Sequence, residues 1–535
     1  MAERYDSVGD YLDRFSRMEN DRSAFDNTWQ DIADHEIGRR NFTTVRTPGR
    51  ERMSQIYDTT AITSLDLLSS ALHSLLTNSA VRWFEIETEF PGMNEQKDIR
   101  MWLENAKDIM YAAFNRNEAA FTSNMHEVYF DLAAFGTCCL YIGDQPGFGP
   151  YFSSRPLGEI YFAEDSRGRI DTVFRKFVLS ARQAVQKFGE EEVPFAVKKL
   201  ESNESDDTFN FLHVVTPNPD VQYGYIDYGG MPFHSCYVCI DEEMKVSEGG
   251  YWEMPYCIAR WEKDSGETYG RGPGWRALAD AKMLNAMNKT MLEAAQKSVN
   301  PPLLVADDGE IPQLNAHPNG VITYRAGTLS DDPIRYLEAR SQFQIGVAEI
   351  QDKRENVRRA FHWELLQLYE SPHMTATQVI ELANQTQRLL APVIGRMQSE
   401  LLEPIIERVF GVLLRAGAFA QPPEILQGQN LTVNYLSPAS RAQRMSDSSA
   451  IVEAVGTAIQ LSEAFPTMID LFNPDEIARQ VAESKGAPAS ILRSPEEIAA
   501  IRQQRAMAQQ EAAKEQAMKD AVETMTPVMG AMGAG

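Results

Sequence analysis

One stretch constrains the fold more than any other: PGWRALADAKMLNAMNKTMLEAAQKSV, from Pro273 to Val299. Proline suits the first turn of a helix, where a missing amide hydrogen loses no intrahelical bond. Asn300-Pro301-Pro302 must end the helix, because proline cannot continue it. The spacing therefore predicts one helix of ~26 residues, or ~39 Å. Its apolar residues cover more than one face. Leu278, Ala281, Leu284, Met287, Met291 and Ala295 are joined by Met283, Ala286, Leu292 and Ala294. A helix that is apolar on several sides needs neighbours on several sides.

A second helix is predicted over 340–368. Phe343, Val347, Ile350, Val357, Phe361, Leu365 and Leu368 keep a 3.6-residue period over about seven turns. Between the two lies a lobe of different texture. PPLLV and GVITYRAG read as short strands, and Pro312, Pro318, Asn319-Gly320 and Asp331-Asp332-Pro333 break the chain around them. After the second helix, Ser371-Pro372 interrupts, and Thr375 with Gln378 fits a capping box that opens a third helix. That helix is expected to reach about Leu414, kinked at Pro392 and Pro404.

The flanks are mixed. Residues 4–37 read as helix, with Tyr11, Phe15, Phe25 and Trp29 as anchors. Residues 59–78 and 95–135 also read as helix, and RWFEIETEF (82–90) alternates like a strand. From Cys139 to Trp261 short β-branched and aromatic runs alternate with turn residues, around a helical interlude near 181–201. One more strand is expected within QPPEILQGQNLTVNYLSP, and the chain from Ala439 is helical. The fold class is α+β, mainly helical. At 535 residues two to four domains are expected.

Charge and chemistry exclude several functions. The formal net charge is −25, so most of the surface should repel a nucleic-acid duplex. Five cysteines are too few and too odd for a disulfide framework, which fits a reducing cytoplasm. MAERYDSVGD lacks the regions of a signal peptide, and the most apolar stretch, 60–77, carries Asp66 and serines, so no membrane span is expected. Gly270, Gly272 and Gly274 precede the long helix, yet no Gly-Lys-Ser/Thr follows, and Trp275 stands where a dinucleotide fingerprint needs glycine. The trio reads as a tight turn setting the helix angle, and no cofactor is expected. Cys236-x-x-Cys239 with His234 nearby has zinc-like spacing but no second pair to complete four ligands. Lys353, Arg354, Arg358 and Arg359 could meet phosphates, although the interleaved Glu349, Asp352, Glu355 and Glu364 favour pairing along the helix.

The order of elements, and the text of RMSQIYDTTAITSLDLLSSALHSLLTNSAVRWFEIE, YGRGPGWRALADAKMLNAMNKTMLEAAQKSVNPPLLV and ESPHMTATQV, resembles the portal protein (head-to-tail connector) family of short-tailed, podovirus-type bacteriophages. The resemblance extends to about residue 440. It implies a non-enzymatic ring, twelve subunits in the family, with an axial channel at one capsid vertex. It implies a wing (1–268 and 377–438), a first stem helix (269–299), a clip (300–339) and a second stem helix (340–368). A tunnel loop (369–376) and a helical crown with its tail (439–535) complete the set. Glu370, Ser371, Pro372, His373, Met374 and Thr375 would face DNA from the tunnel loop, Lys353 and Arg354 are candidate DNA-facing bases, and Gly270, Gly272 and Gly274 would be the wing–stem hinge. Implied partners are further copies of the chain, major capsid and scaffolding proteins, the terminase large subunit, tail adaptor proteins, and double-stranded DNA in the channel. The place implied is the virion, at the head-tail junction, after assembly in the host cytoplasm. Two other readings stay open on the sequence. One is a metal- or hydroxyl-dependent hydrolase using His234, Cys236, Cys239 or the loop around His373. The other is an internal scaffold or head-completion protein.

Overall fold

A computed structural model describes residues 7–38, 42, 56–301 (except 80, 95, 146, 203, 223 and 226), 303–307, 320–325, 334–336, 343–363, 390–426, 431–435, 450–460, 473–484, 493 and 497–514. The chain divides into two compact units: Met1–Trp83 with Ile109–Ala418, and Phe84–Asp108 with Phe419–Gly535.

The larger unit opens with α1 (Val8–Ile32). A reciprocal capping box between Ser7 and Asp10 satisfies its first donors. A π-turn, Ala33–Ile37, extends the helix and stops at Gly38, whose φ of 70° is left-handed. The two halves of α1 have different tasks. Tyr11, Phe15 and Met18 lie on one face of an antiparallel sheet with Tyr161, Phe174, Leu212, Val214, Cys236 and Val238. That sheet runs β4 (Ile160–Glu164), β5 (Ile170–Ser180), β6 (Thr208–Pro217), β7 (Phe233–Cys239) and β8 (Met244–Tyr251) in sequence order. The other face carries Phe177, Phe209, Phe211, Cys239 and Val246. It is covered by the interlude helices α5 (Ala181–Phe188) and α6 (Pro194–Glu201), which contribute Ala181, Ala184 and Ala196. The sheet is thus covered on both faces, which is why β4 to β7 read as near-continuous apolar runs, while the edge strand β8 does not.

A three-stranded sheet places β2 (Thr137–Gln145) between β3 (Gly149–Ser154) and β9 (Tyr256–Arg260). Among the described residues, three long helices lie between α1 and this sheet in the chain. α2 (Thr60–Leu76) packs its apolar face inward. The predicted helix over 95–135 is broken. It becomes α3 (Lys97–Phe114) and α4 (Phe121–Phe135), parted by a short 3₁₀ turn and a left-handed Ala120 (φ 53°).

The long helix α7 spans Pro273–Val299, with the bounds its prolines set. The lobe beyond it holds β10 (Leu303–Asp307), β11 (Val321–Arg325) and a third strand, β12 (Ile334–Tyr336), that the sequence pattern did not single out. β10 is central, parallel to β11 and antiparallel to β12. A parallel pair needs a crossover of a dozen or more residues, which accounts for the length of 308–320. α8 spans Phe343–Ala360, where a turn interrupts the helix expected over 340–368, and 364–368 lie outside the described residues. A turn at Phe361 and a left-handed His362 (φ 56°) close it, with Phe361 fully buried. A helix covers 390–397, then a π-turn (Gln398–Leu402), then α9 (Glu403–Arg415). The expected kink at Pro404 is therefore a π-turn. A widened turn ahead of the proline absorbs the carbonyl that its missing N–H would have bonded.

In the smaller unit, β1 (Phe84–Thr88) pairs antiparallel with β13 (Leu431–Tyr435), from Phe84↔Tyr435 to Thr88↔Leu431. Trp102 Nε1 donates to the Ala420 carbonyl at 2.8 Å. Its C-terminal part is helical where described, including α10 (Pro474–Ser484).

Candidate functional site

The glycine segment before α7 is not the expected tight turn: Gly272 is extended (φ −114°, ψ −177°), Arg271 pairs with Glu262 in an isolated antiparallel bridge, and the segment lies flat on the end of α4. A Cβ at Gly270 would stand 2.3 Å from the Gly136 carbonyl oxygen, and one at Gly274 2.3 Å from that of Ala134. At Gly272 it would stand 2.9 Å from Gly136 Cα. None of the three has a positive φ, so glycine is needed for space and not for conformation. The room a phosphate would need in a Gly-rich loop is filled here by backbone of the same chain. Side chains lock the seat. Trp29 Nε1 and Trp275 Nε1 both donate to the Phe135 carbonyl, at 3.0 and 2.9 Å. Gly270 N donates to Thr137 Oγ1 at 2.9 Å, and Arg271 N to the Glu262 carbonyl at 2.8 Å. Phe25, Trp29, Tyr269 and Trp275 form a ring cluster around the turn, with centroids 5.4–5.7 Å apart.

Just before the turn, Arg260 ends β9 and is only 2% exposed. Its backbone N and its Nε both donate to Glu400 Oε2, at 3.0 and 3.2 Å, and its Nη2 donates to Glu400 Oε1 at 2.6 Å. Nη1 bonds Glu164, whose carboxylate also takes both bonds of Lys263 Nζ at 2.6 Å. Glu400 sits in the π-turn before Pro404. One buried guanidinium therefore ties the end of the sheet to the last helix of this unit. Sequence reading missed this pair. The available signal was a lone arginine in YCIARW, a strand otherwise apolar, since a buried charge has to be paired.

The two long helices are joined by polar bonds. Lys353 Nζ meets Asp280 Oδ1 at 2.8 Å. Arg354 Nε donates to Asp58 Oδ2 at 2.9 Å, and Asn288 Nδ2 donates to the same oxygen at 3.0 Å. Asn285 Oδ1 accepts from the backbone N of Tyr57 and Asp58 at 3.0 and 3.1 Å. Burial by itself would raise the Asp58 carboxyl, but bonds from Thr60 and the Arg354 guanidinium hold it below the usual carboxylate range. Lys353 and Arg354 thus hold carboxylates of their own chain, across helices and not along one. Arg359 does pair with Glu355 four residues away. The residues Glu370, Ser371, Pro372, His373, Met374 and Thr375 lie outside the described residues.

The zinc-like motif fails on geometry. Cys236 and Cys239 are three apart on β7, so they point to opposite faces of the sheet. Cys236 packs against α1, and Cys239 packs under α5 and α6. His234 instead contacts Glu248 at 2.7 Å. Among the described residues no group of three or more His, Cys, Asp or Glu is placed to hold a metal ion. All five cysteines are free and buried, and burial pushes the Cys236 thiol up to about 11. No described helix is long and apolar enough to cross a membrane.

Comparison with known proteins agrees with this architecture. A family model for "Bacteriophage head to tail connecting protein" matches residues 8–492. The portal protein of Salmonella phage epsilon15 is 29% identical over 525 residues, covering 95% of this chain and 93% of that protein. The probable portal protein of Bordetella phage BPP-1 is 27% identical over 515 residues, covering 95% and 92%. A solved neck of an empty gene transfer agent particle aligns with 79% of this chain and 94% of that one. Its TM-score of 0.38 and 11% identity are too low to bear on the fold. The family's role is connecting and structural, not enzymatic. With a match that runs through the sheet, the glycine turn, both long helices and α9, the chain belongs to the bacteriophage head to tail connecting protein family.

Proposed function

We propose that the chain is a portal subunit. Copies form a ring at one capsid vertex, through which double-stranded DNA enters and leaves. The observation that carries this reading is the pair α7 and α8. They are joined directly by Asp280–Lys353 and through Asp58, which accepts from both Arg354 and Asn288, yet large apolar side chains stay exposed on them. Met283, Leu292, Val299 and Val347 are 49, 50, 78 and 57% exposed. Neighbouring copies would cover them, as expected of helices apolar on several sides.

Simple geometry supports a channel. Twelve helices packed ~10 Å apart make a circle ~38 Å across between axes, which leaves ~28 Å free, enough for a duplex. Twelve copies at −25 each carry about −300 formally, so DNA would find few lasting contacts on an acidic wall. In this reading the glycine turn sets the angle between wing and stem. The lobe of β10–β12 is the clip, and 369–376 is the tunnel loop. The clip receives the terminase large subunit during packaging and the tail adaptors later. Capsid and scaffolding proteins hold the wing's outside, within the host cytoplasm during assembly and in the virion afterwards.

Negative-stain electron microscopy of the purified protein tests the proposal. Rings with an axial hole are expected. Rings without a hole would favour a head-completion role, and uniform monomers would refute both.

A further inference from the structure

Glu36 is a fully buried carboxyl to which the architecture above gives no role. It lies in the π-turn after α1, is 0% exposed, and neither of its oxygens has a hydrogen-bond partner. Its Oε2 lies 2.8 Å from where a Gly274 Cβ would stand, so the carboxyl abuts the first turn of α7. That first turn has no side-chain cap, because its N-cap is Gly272. In this seat a charged Glu36 has no donor, so ionisation has to move the carboxylate or open the turn.

The charged groups on the packed elements do not supply a partner. Asp31 of α1, Asp34 and His35 of the turn itself, Asp66 of α2, Asp131 of α4 and Lys282 of α7 make no bond to Glu36. Lys282 is taken by Asp31 at 2.6 Å. Burial alone raises the Glu36 carboxyl well above its ordinary value.

The geometry points to Glu36 as a proton-controlled latch at the base of the long helix. Protonated, it seats against Gly274 and holds the first turn of α7. Ionised, it leaves that seat and frees the turn. The inference rests on the reading of Gly270–Gly274 as the junction between wing and stem. The sign follows from linkage. A carboxyl raised in the folded state stabilises its closed seat most at low pH, and that contribution is lost as pH rises through the raised value.

Hydrogen exchange by mass spectrometry on the full-length assembled protein tests this at about pH 5.5 and about pH 8.5. Wild type is compared with Glu36→Gln on peptides spanning 269–277. At the higher pH, wild type should exchange about tenfold faster than the variant, and at the lower pH within about twofold. An equal ratio at both pH values, or no difference at the higher one, overturns the latch. Glu36→Met, uncharged and of similar length, should behave as Glu36→Gln and serves if the amide variant fails to fold. Wild type alone gives a third readout. Its protection at 269–277 relative to 209–215 should fall about tenfold between the two pH values, and a constant ratio refutes the latch. Native mass spectrometry of the same samples separates the two readings. Rings without the pH effect sink the latch alone, and monomers with it sink the ring alone.

Discussion

Replacing Arg260 should destabilise the larger unit strongly, and by an amount that depends on Glu400. Arg260 is 2% exposed and gives three hydrogen bonds to Glu400, beside its bond to Glu164. Breaking a buried ion pair by removing one partner costs ~3–5 kcal/mol. The side chains of Glu164 and Glu400 are 17 and 20% exposed, so solvent screens them in part, and the lower end applies. Arg260→Met should therefore cost ~3 kcal/mol, and Glu400→Gln, which leaves Arg260 still facing Glu164, ~2 kcal/mol. The double variant Arg260→Met/Glu400→Gln strands no charge on this pair, because Lys263 still neutralises Glu164. It should cost no more than Arg260→Met alone, which gives a coupling of ~2 kcal/mol. Urea unfolding followed by tryptophan fluorescence gives the midpoints, compared where the slopes agree. Additive effects within ~0.5 kcal/mol would refute the clamp, since independent sites behave that way.

Two further outcomes follow from the junction. Gly270→Ala should cost ~2 kcal/mol or block folding, because its Cβ would stand 2.3 Å from a backbone oxygen. Gly249→Ala, with nothing within 4 Å, should leave the urea midpoint nearly unchanged. Asp58, held below the usual carboxylate range, contributes stability that is full above its ordinary value of 3.8 and is lost as pH falls through its lower folded value. Asp58→Asn should therefore lower the thermal midpoint at neutral pH and flatten its decline in acid. An unchanged acid decline would mean that the Arg354 contact is not made in solution.

Local rules made the long elements legible. Pro273 and Pro301 bound α7 because proline acts on its own backbone, whatever the tertiary context. Four strands of the five-stranded sheet, β4 to β7, were legible as apolar runs, whereas the edge strand β8, MKVSEGGY, was not, because most of its side chains are only partly buried. Contacts between distant segments were not. The α8 pattern passes through Phe361 without a break, yet a turn at Phe361 and His362 interrupts the helix after Ala360, which periodicity cannot see. Lys353 and Arg354 looked like members of a row of pairs along one helix. Their carboxylates lie on another helix and on the segment before α2, and only the fold brings those together. The glycine trio was expected to make a tight turn, but Gly272 is extended and Gly274 lies inside α7, and what requires the trio is its close approach to the end of α4, some 130 residues earlier, which no local pattern marks. The spacing of Cys236 and Cys239 suggested a chelate only while their strand was ignored.

The central claim is that this chain functions as a closed ring, and native mass spectrometry of the purified full-length protein tests it most directly. At 60.2 kDa per chain, twelve copies give about 722 kDa (twelve times 60.2), and a single dominant species near that mass is the expected result. A neighbouring multiple would alter the count and keep the ring. A uniform 60.2 kDa monomer at all concentrations would contradict the account, because the exposed faces of α7 and α8 would then have no neighbour to cover them.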